Sequence, residues 1–96
     1  MKIKINDKKT IQSIQDEFNT IFPYLKLEFF SKQHHEGEGI PKRYMKKSDR
    51  TLYECRTRHI NGELEIVPEM TVAELEENFS NTYGLSAQVF RKSGKV

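Results

Sequence analysis

Two stripes of apolar residues at helical spacing, each set between short stretches that alternate apolar and polar, limit the folds open to this chain. Ile11, Ile14, Phe18, Ile21 and Phe22 lie along one face of a 3.6-residue helix. Thr10 precedes them where a hydroxyl caps the first turn, and Pro23, with no N–H to give, stops the helix. The second stripe is Val72, Leu75, Phe79 and Tyr83. It opens on Thr71 and Glu74 at capping-box spacing, with Met70 placed to staple onto Leu75. Gly84 suits the left-handed residue that ends such a helix, and Leu85 can fold back on Phe79.

Between the stripes the period drops to two. Ile3 and Ile5 alternate with Lys2 and Lys4, and Leu25, Leu27 and Phe29 with Lys26 and Glu28. Leu64 and Ile66 alternate with Glu63 and Glu65 up to Pro68, and Leu85, Ala87 and Val89 with Gln88 and Phe90. Strands with one wet face belong to a sheet covered on one side. Residues 51–62 predict a short helix. Thr51 and Glu54 have capping-box spacing, Leu52, Cys55 and His59 share a face, Arg56 and Arg58 suit the negative end, and Asn61-Gly62 offers a left-handed stop. A hairpin turning at Asn61-Gly62 fits less well, because residues 51–60 do not alternate.

The resulting order, β-α-β-(loop, short helix)-β-α-β, predicts an α+β fold. It fits a ferredoxin-like split βαβ sandwich of two layers, with one sheet face open and the first and third strands central. A mixed sheet of different strand order is the alternative. With 96 residues the chain reads as one domain, 1–96. Ser31–Lys47 holds Gly37, Gly39, Pro41, two histidines and five bases without any apolar period, and predicts a flexible basic insertion at about 31–50. Ser93-Gly94 is a turn signal two residues from the last residue, as in a hairpin without its return strand.

Lys and Arg total 16 against 14 acids, but the charge is segregated. Residues 31–60 carry eight bases and four acids, whereas residues 61–84 carry six acids and no base. Internal neutralisation between these faces is the plain reading; a positive patch for an anionic partner is the other. No apolar run approaches the ~20 residues of a membrane span, and no signal-peptide core follows Met1. The lone Cys55 has no disulfide partner in the chain. Together these predict a soluble cytoplasmic domain.

Tests for specific chemistry yield little. His34 and His35 are adjacent, so in extended backbone they point to opposite sides, and with Glu36, Cys55 and His59 they show no zinc-ligand spacing. Cys55 and His59, at i and i+4 of the expected helix, are a thiol and a base within reach, yet the thiol falls on the apolar face. The glutamates at 63–77 are accounted for by strand exposure and by a helix start. Gly37-Glu-Gly39 precedes Pro41 rather than a helix, and its acid repels phosphate. In an open sheet of this topology Phe30 and Phe90 fall on opposite edges, ~14 Å apart, which makes no stacking platform for bases. No catalytic, metal or cofactor residue is therefore assigned.

Thr71-Val-Ala-Glu-Leu-Glu76, Gly84-Leu85 and Gln88-Val-Phe-Arg-Lys-Ser-Gly94 resemble the pattern of a family of small bacterial α+β proteins without assigned function. The match covers about the last quarter of the chain and, more weakly, Gly37-Glu-Gly39. The resemblance implies a further strand after the Ser-Gly turn and implies no catalytic or binding residue. The expectation is thus a non-catalytic protein-interaction or adaptor module, binding a partner or itself through a sheet edge. Its candidate residues are Lys42, Arg43, Tyr44, Lys46, Lys47, Phe30 and Phe90. Weak, sequence-independent nucleic-acid binding through the basic 42–58 segment is the alternative.

Overall fold

Helix caps account for where the chain turns. A computed structural model describes residues 1–31 and 44–91. Among these, β1 (Lys2–Ile5), α1 (Ile11–Ile21), β2 (Leu25–Phe30), α2 (Leu52–Cys55), β3 (Gly62–Glu65), α3 (Val72–Tyr83) and β4 (Ser86–Arg91) follow in order. Thr10 accepts from the Ser13 amide at 3.1 Å, and the Ile11 and Gln12 amides donate to the carbonyls of Arg50 and Ser48, both at 2.9 Å. Two amides at the start of α1 are thereby satisfied by the stretch that leads into α2. Thr51 with Glu54 and Thr71 with Glu74 both close capping boxes. Gly84, at φ 66°, ends α3, its amide donating to the Ser80 carbonyl and that of Leu85 to Phe79.

The strands pair as two antiparallel ribbons. β1 lies on β3 with Lys2 opposite Glu65 and Ile5 opposite Gly62, and β2 lies on β4 with Leu25 opposite Arg91 and Phe30 opposite Ser86. The fold is α+β, but the strand order differs from the ferredoxin-like expectation, in which the second and fourth strands occupy opposite edges. It also differs from the mixed-sheet alternative, since every pairing among the described residues is antiparallel.

The cause is visible along the outer edge of β2. Its carbonyls at Leu25 and Leu27 accept from Asn19 (2.7 Å) and Gln15 (2.8 Å) of α1, and that at Phe29 accepts from the Lys46 amide (2.7 Å). The Tyr44 carbonyl in turn accepts from the Ser31 amide at 2.8 Å. That edge is occupied, so β3 cannot join there and β2 takes β4 on its other side. On β4 the Val89 amide, which points away from β2, donates to the Glu76 carboxylate at 3.0 Å.

One core joins both ribbons to the helices: Ile3, Ile5 and Leu64 from the first, Leu27, Phe29 and Ala87 from the second, Ile14 and Phe18 from α1, Leu75 and Phe79 from α3. Phe29 meets Phe79 edge-on at 5.3 Å between ring centroids, a favoured aromatic geometry. Three expectations are corrected. The helix at 51–62 is a single turn ending at Cys55, and Arg56 is already extended (φ −145°, ψ 157°), so His59 shares no helix face with Cys55 and Asn61-Gly62 caps nothing. Phe30 is 3% exposed and Gln88 is buried, so the far face of the β2–β4 ribbon is covered there and stays open only toward Lys26 and Phe90. Val72, read as part of the buried stripe, is 49% exposed. The Ser93-Gly94 turn lies outside the described residues.

A Cβ at Gly84 would sit 3.3 Å from the Arg58 Cβ, in a backbone region that L side chains rarely adopt. Gly84→Ala is expected to cost about 1–2 kcal/mol, read as a lower urea midpoint at unchanged m-value.

Candidate functional site

The densest polar cluster forms where the β1–α1 turn, the segment after α2 and the end of α3 converge. The Arg56 side chain is wholly buried there. Its Nε donates to Asp7 Oδ1 (3.0 Å), Nη1 to the carbonyls of Ile60 (2.9 Å) and Tyr83 (3.1 Å), and Nη2 to Asn61 Oδ1 (3.5 Å) while lying 2.9 Å from Asp7 Oδ1. The second Asp7 oxygen meets His59 Nδ1 at 3.0 Å, and the His59 ring stacks on Tyr53 at 4.7 Å. Partial desolvation pushes the Asp7 carboxyl up, but hydrogen bonds from His59 and Arg56 outweigh it and hold it below the usual value.

An Asp–His pair orients an imidazole, and base catalysis then requires a nucleophile or a substrate pocket at the other ring nitrogen. Among the described residues no hydroxyl or thiol bonds to His59. The cluster works as a brace: it fixes the loop before β3 against the carboxyl end of α3.

Cys55 closes α2 beside a depression of about 340 Å³ that it shares with Phe30, Lys46, Glu54 and Ser86. Burial pushes its thiol pKa up, outweighing the nearby Lys46 and Arg50 charges, which is the reverse of what an activated nucleophile needs. No three His, Cys, Asp or Glu among the described residues gather as metal ligands. His34, His35, Lys42 and Arg43 lie outside those residues.

Of the other expected partner-binding residues, Tyr44 and Lys46 lie on the segment bonded along β2, and Lys47 follows it. Phe30 and Phe90 are not 14 Å apart on opposite edges; the β2–β4 pairing puts them on one face with ring centroids 6.5 Å apart. Only Phe90 reaches solvent substantially. The basic segment is also partly spent: Arg56 is buried, Arg50 pairs with Glu54 at 3.3 Å, and Arg58 donates to the Asn81 carbonyl at 2.9 Å.

Sequence reasoning did not find the second site, an apolar cleft of about 110 Å³. Phe22 at the end of α1, Leu25 and Val89 on the β2–β4 ribbon, Val67 after β3, and Val72 and Leu75 on α3 line it. Val67 and Val72 stay exposed at its mouth. One signal was available: Ile66-Val67 breaks the alternation of β3, so one of two neighbouring apolar residues has to face outward.

No protein-family model, curated protein or solved structure matches the chain. The local geometry is therefore what any functional reading has to rest on.

Two outcomes follow for the titrating groups. Because the folded Asp7 pKa lies below its ordinary 3.8, the stabilisation it brings is complete above that value and is lost as pH falls through the lower folded one. Urea midpoints between about pH 2 and 6 are expected to show an acid-limb component in the wild type that Asp7→Asn lacks. Cys55, with its thiolate disfavoured, is expected to react with a disulfide reagent near neutral pH more slowly than a free cysteine, and at the free rate once the chain is denatured.

Proposed function

We propose that the chain is a non-catalytic protein-interaction module of the cytoplasm, and that it holds its partner at the apolar cleft between α1 and α3. The cleft itself carries this reading. Among the described residues, Asp7, Arg56 and His59 are bonded into the fold and Cys55 is set against ionisation, whereas Val67 and Val72 leave branched apolar surface in water. Apolar surface gathered around a concavity, unlike single exposed side chains, is what interaction sites present.

The sheet edges suit association less well. The outer edge of β2 is occupied, and mutual bonds between Met1 and Ile66 fix the β1–β3 register so that Lys2, Lys4, Glu63 and Glu65 turn their peptide groups outward. Charged residues along an edge discourage strand addition. Nucleic-acid binding through residues 42–58 loses Arg56, Arg50 and Arg58 to other contacts, so it has less support than the protein reading.

A photo-reactive amino acid at Val72, and at Lys8 as a distant exposed control, tests the proposal in cells expressing the protein. A discrete cross-linked polypeptide from position 72 and none from position 8 is the expected result. Identical patterns from the two positions refute it.

A further inference from the structure

Asn61-Gly62 caps no helix, yet the fold calls for both residues. A Cβ at Gly62 would sit 2.9 Å from the Tyr83 hydroxyl oxygen and 3.3 Å from its ring, so glycine is what lets β3 begin against that buried side chain. Asn61 supplies Oδ1 to Arg56 Nη2 at 3.5 Å, the longest hydrogen bond of the brace. Packing at one position and a buried charge at the other thus set an asparagine directly before a glycine. Both are exposed, so water and its bases reach them. No other asparagine of the chain precedes a glycine: Asn6, Asn19, Asn78 and Asn81 precede Asp7, Thr20, Phe79 and Thr82.

That pair has a chemistry of its own. Asparagine is a thermolabile residue, and a following glycine leaves the next peptide nitrogen unscreened by any side chain. The Gly62 nitrogen can attack the side-chain carbonyl carbon of Asn61. A C–N bond closes a five-membered imide, and the amide nitrogen leaves as ammonia, taking up by way of water the proton that the Gly62 amide gives. Water then opens the imide at either carbonyl, leaving aspartate or isoaspartate at position 61. The native structure restrains both reacting groups. Met1 and Ile66 bond to each other in both directions, so the alternation of the β1–β3 ladder makes Ile5 and Gly62 a mutually bonded pair and keeps the Gly62 amide on the Ile5 carbonyl. Ring closure needs that amide released and the Asn61 side chain lifted from Arg56. Ile5 and Gly62 form the last pair of the ladder, where fraying begins. The Arg56 guanidinium, which ties Ile60 and Asn61 to Asp7 and Tyr83, opposes fraying at that end.

We propose that Asn61 is a self-modifying site: it deamidates through attack by the Gly62 nitrogen, and the Arg56 brace sets the rate by deciding how often the start of β3 opens. The two products differ in effect. Aspartate at position 61 keeps an oxygen for Arg56 and adds a charge to it, whereas isoaspartate lengthens the main chain by one carbon and takes Gly62 out of register with Ile5. The chain therefore ages at the joint that fixes the loop before β3. This modification is independent of any partner at the apolar cleft.

The test incubates the full chain in mildly alkaline buffer, folded and in denaturing urea. Peptide mapping by mass spectrometry follows conversion at each asparagine, and chromatography separates aspartate from isoaspartate. Conversion is expected at Asn61 ahead of the other asparagines, and at least about tenfold faster in urea. Asp7→Asn removes the carboxylate from Arg56 and leaves Asn61-Gly62 untouched. It is expected to raise the folded rate in step with hydrogen exchange at the Gly62 amide. Circular dichroism shows whether that variant is folded. If it is not, the wild type in urea below its unfolding transition takes its place, and conversion is again expected to rise with Gly62 exchange. Equal rates in the folded and denatured chain overturn the control by the brace, as does Gly62 exchange that rises while conversion stays constant. Conversion led by another asparagine, or none at Asn61 in denaturing urea, overturns the site itself.

Discussion

The buried guanidinium of Arg56 is the interaction on which the remaining geometry hangs. Removing a charge from water costs several kcal/mol, which a protein recovers only if the ion is paired and its donors are all used. Here Asp7, Asn61, Ile60 and Tyr83 together give each of its three nitrogens a partner. The Tyr83 carbonyl lies at the negative end of α3, which adds a favourable field for a cation. Three segments far apart in the chain are thus fixed to one planar group: the turn after β1, the loop before β3 and the end of α3. Extension of the backbone at Arg56 is the condition for that reach, and it explains why α2 lasts only one turn.

With β1 and β3 anchored at that end, the second ribbon is settled by hydrogen-bond accounting. Each buried peptide group needs a partner, and β2 obtains its outer ones from α1 side chains and from the Lys46 amide. The two ribbons therefore share side-chain packing without one continuous ladder. The cleft lies where that arrangement runs out. Leu25 and Val89 come from one ribbon, Ile66 continues the other, and the end of α1 and the start of α3 supply the remaining walls. Val72 is exposed for the same reason: it lies at the mouth of this gap, where nothing packs over it.

These causes divide what could be read from the amino acids from what could not. Thr10, the Thr51–Glu54 and Thr71–Glu74 boxes and Gly84 act over three or four residues, so pattern alone locates them. The alternation around Ile3, Leu27, Leu64 and Ala87 marks core-facing side chains because the period of a strand is local too. Strand order is not local. It turns on Gln15 and Asn19, which look like ordinary polar positions of an amphipathic helix until their carbonyl partners on β2 are known. The Arg56–Asp7 bond spans 49 residues, and nothing in Cys55-Arg56-Thr57 distinguishes a buried arginine from one placed at a helix end. Phe30 and Phe90 were misplaced because a wrong strand order moves side chains between edges even when their faces are right.

Charge is where sequence and structure complement each other most directly. The sequence shows a basic middle and an acidic stretch after it, and mutual neutralisation is the simplest account of the pair. Among the described residues, Arg50, Arg56 and Arg58 find partners at Glu54, at Asp7 and on a backbone carbonyl rather than at Glu63, Glu65, Glu69 or Glu77. Glu63, Glu65, Glu69 and Glu77 are left without ion pairs. Exposed charges of one sign need no partner to be tolerated in water, so their presence alone says little. Glu65 lies opposite Lys2 on the wet face of the β1–β3 ribbon and so turns away from Ile66, and the cleft is marked by its apolar walls rather than by its charge.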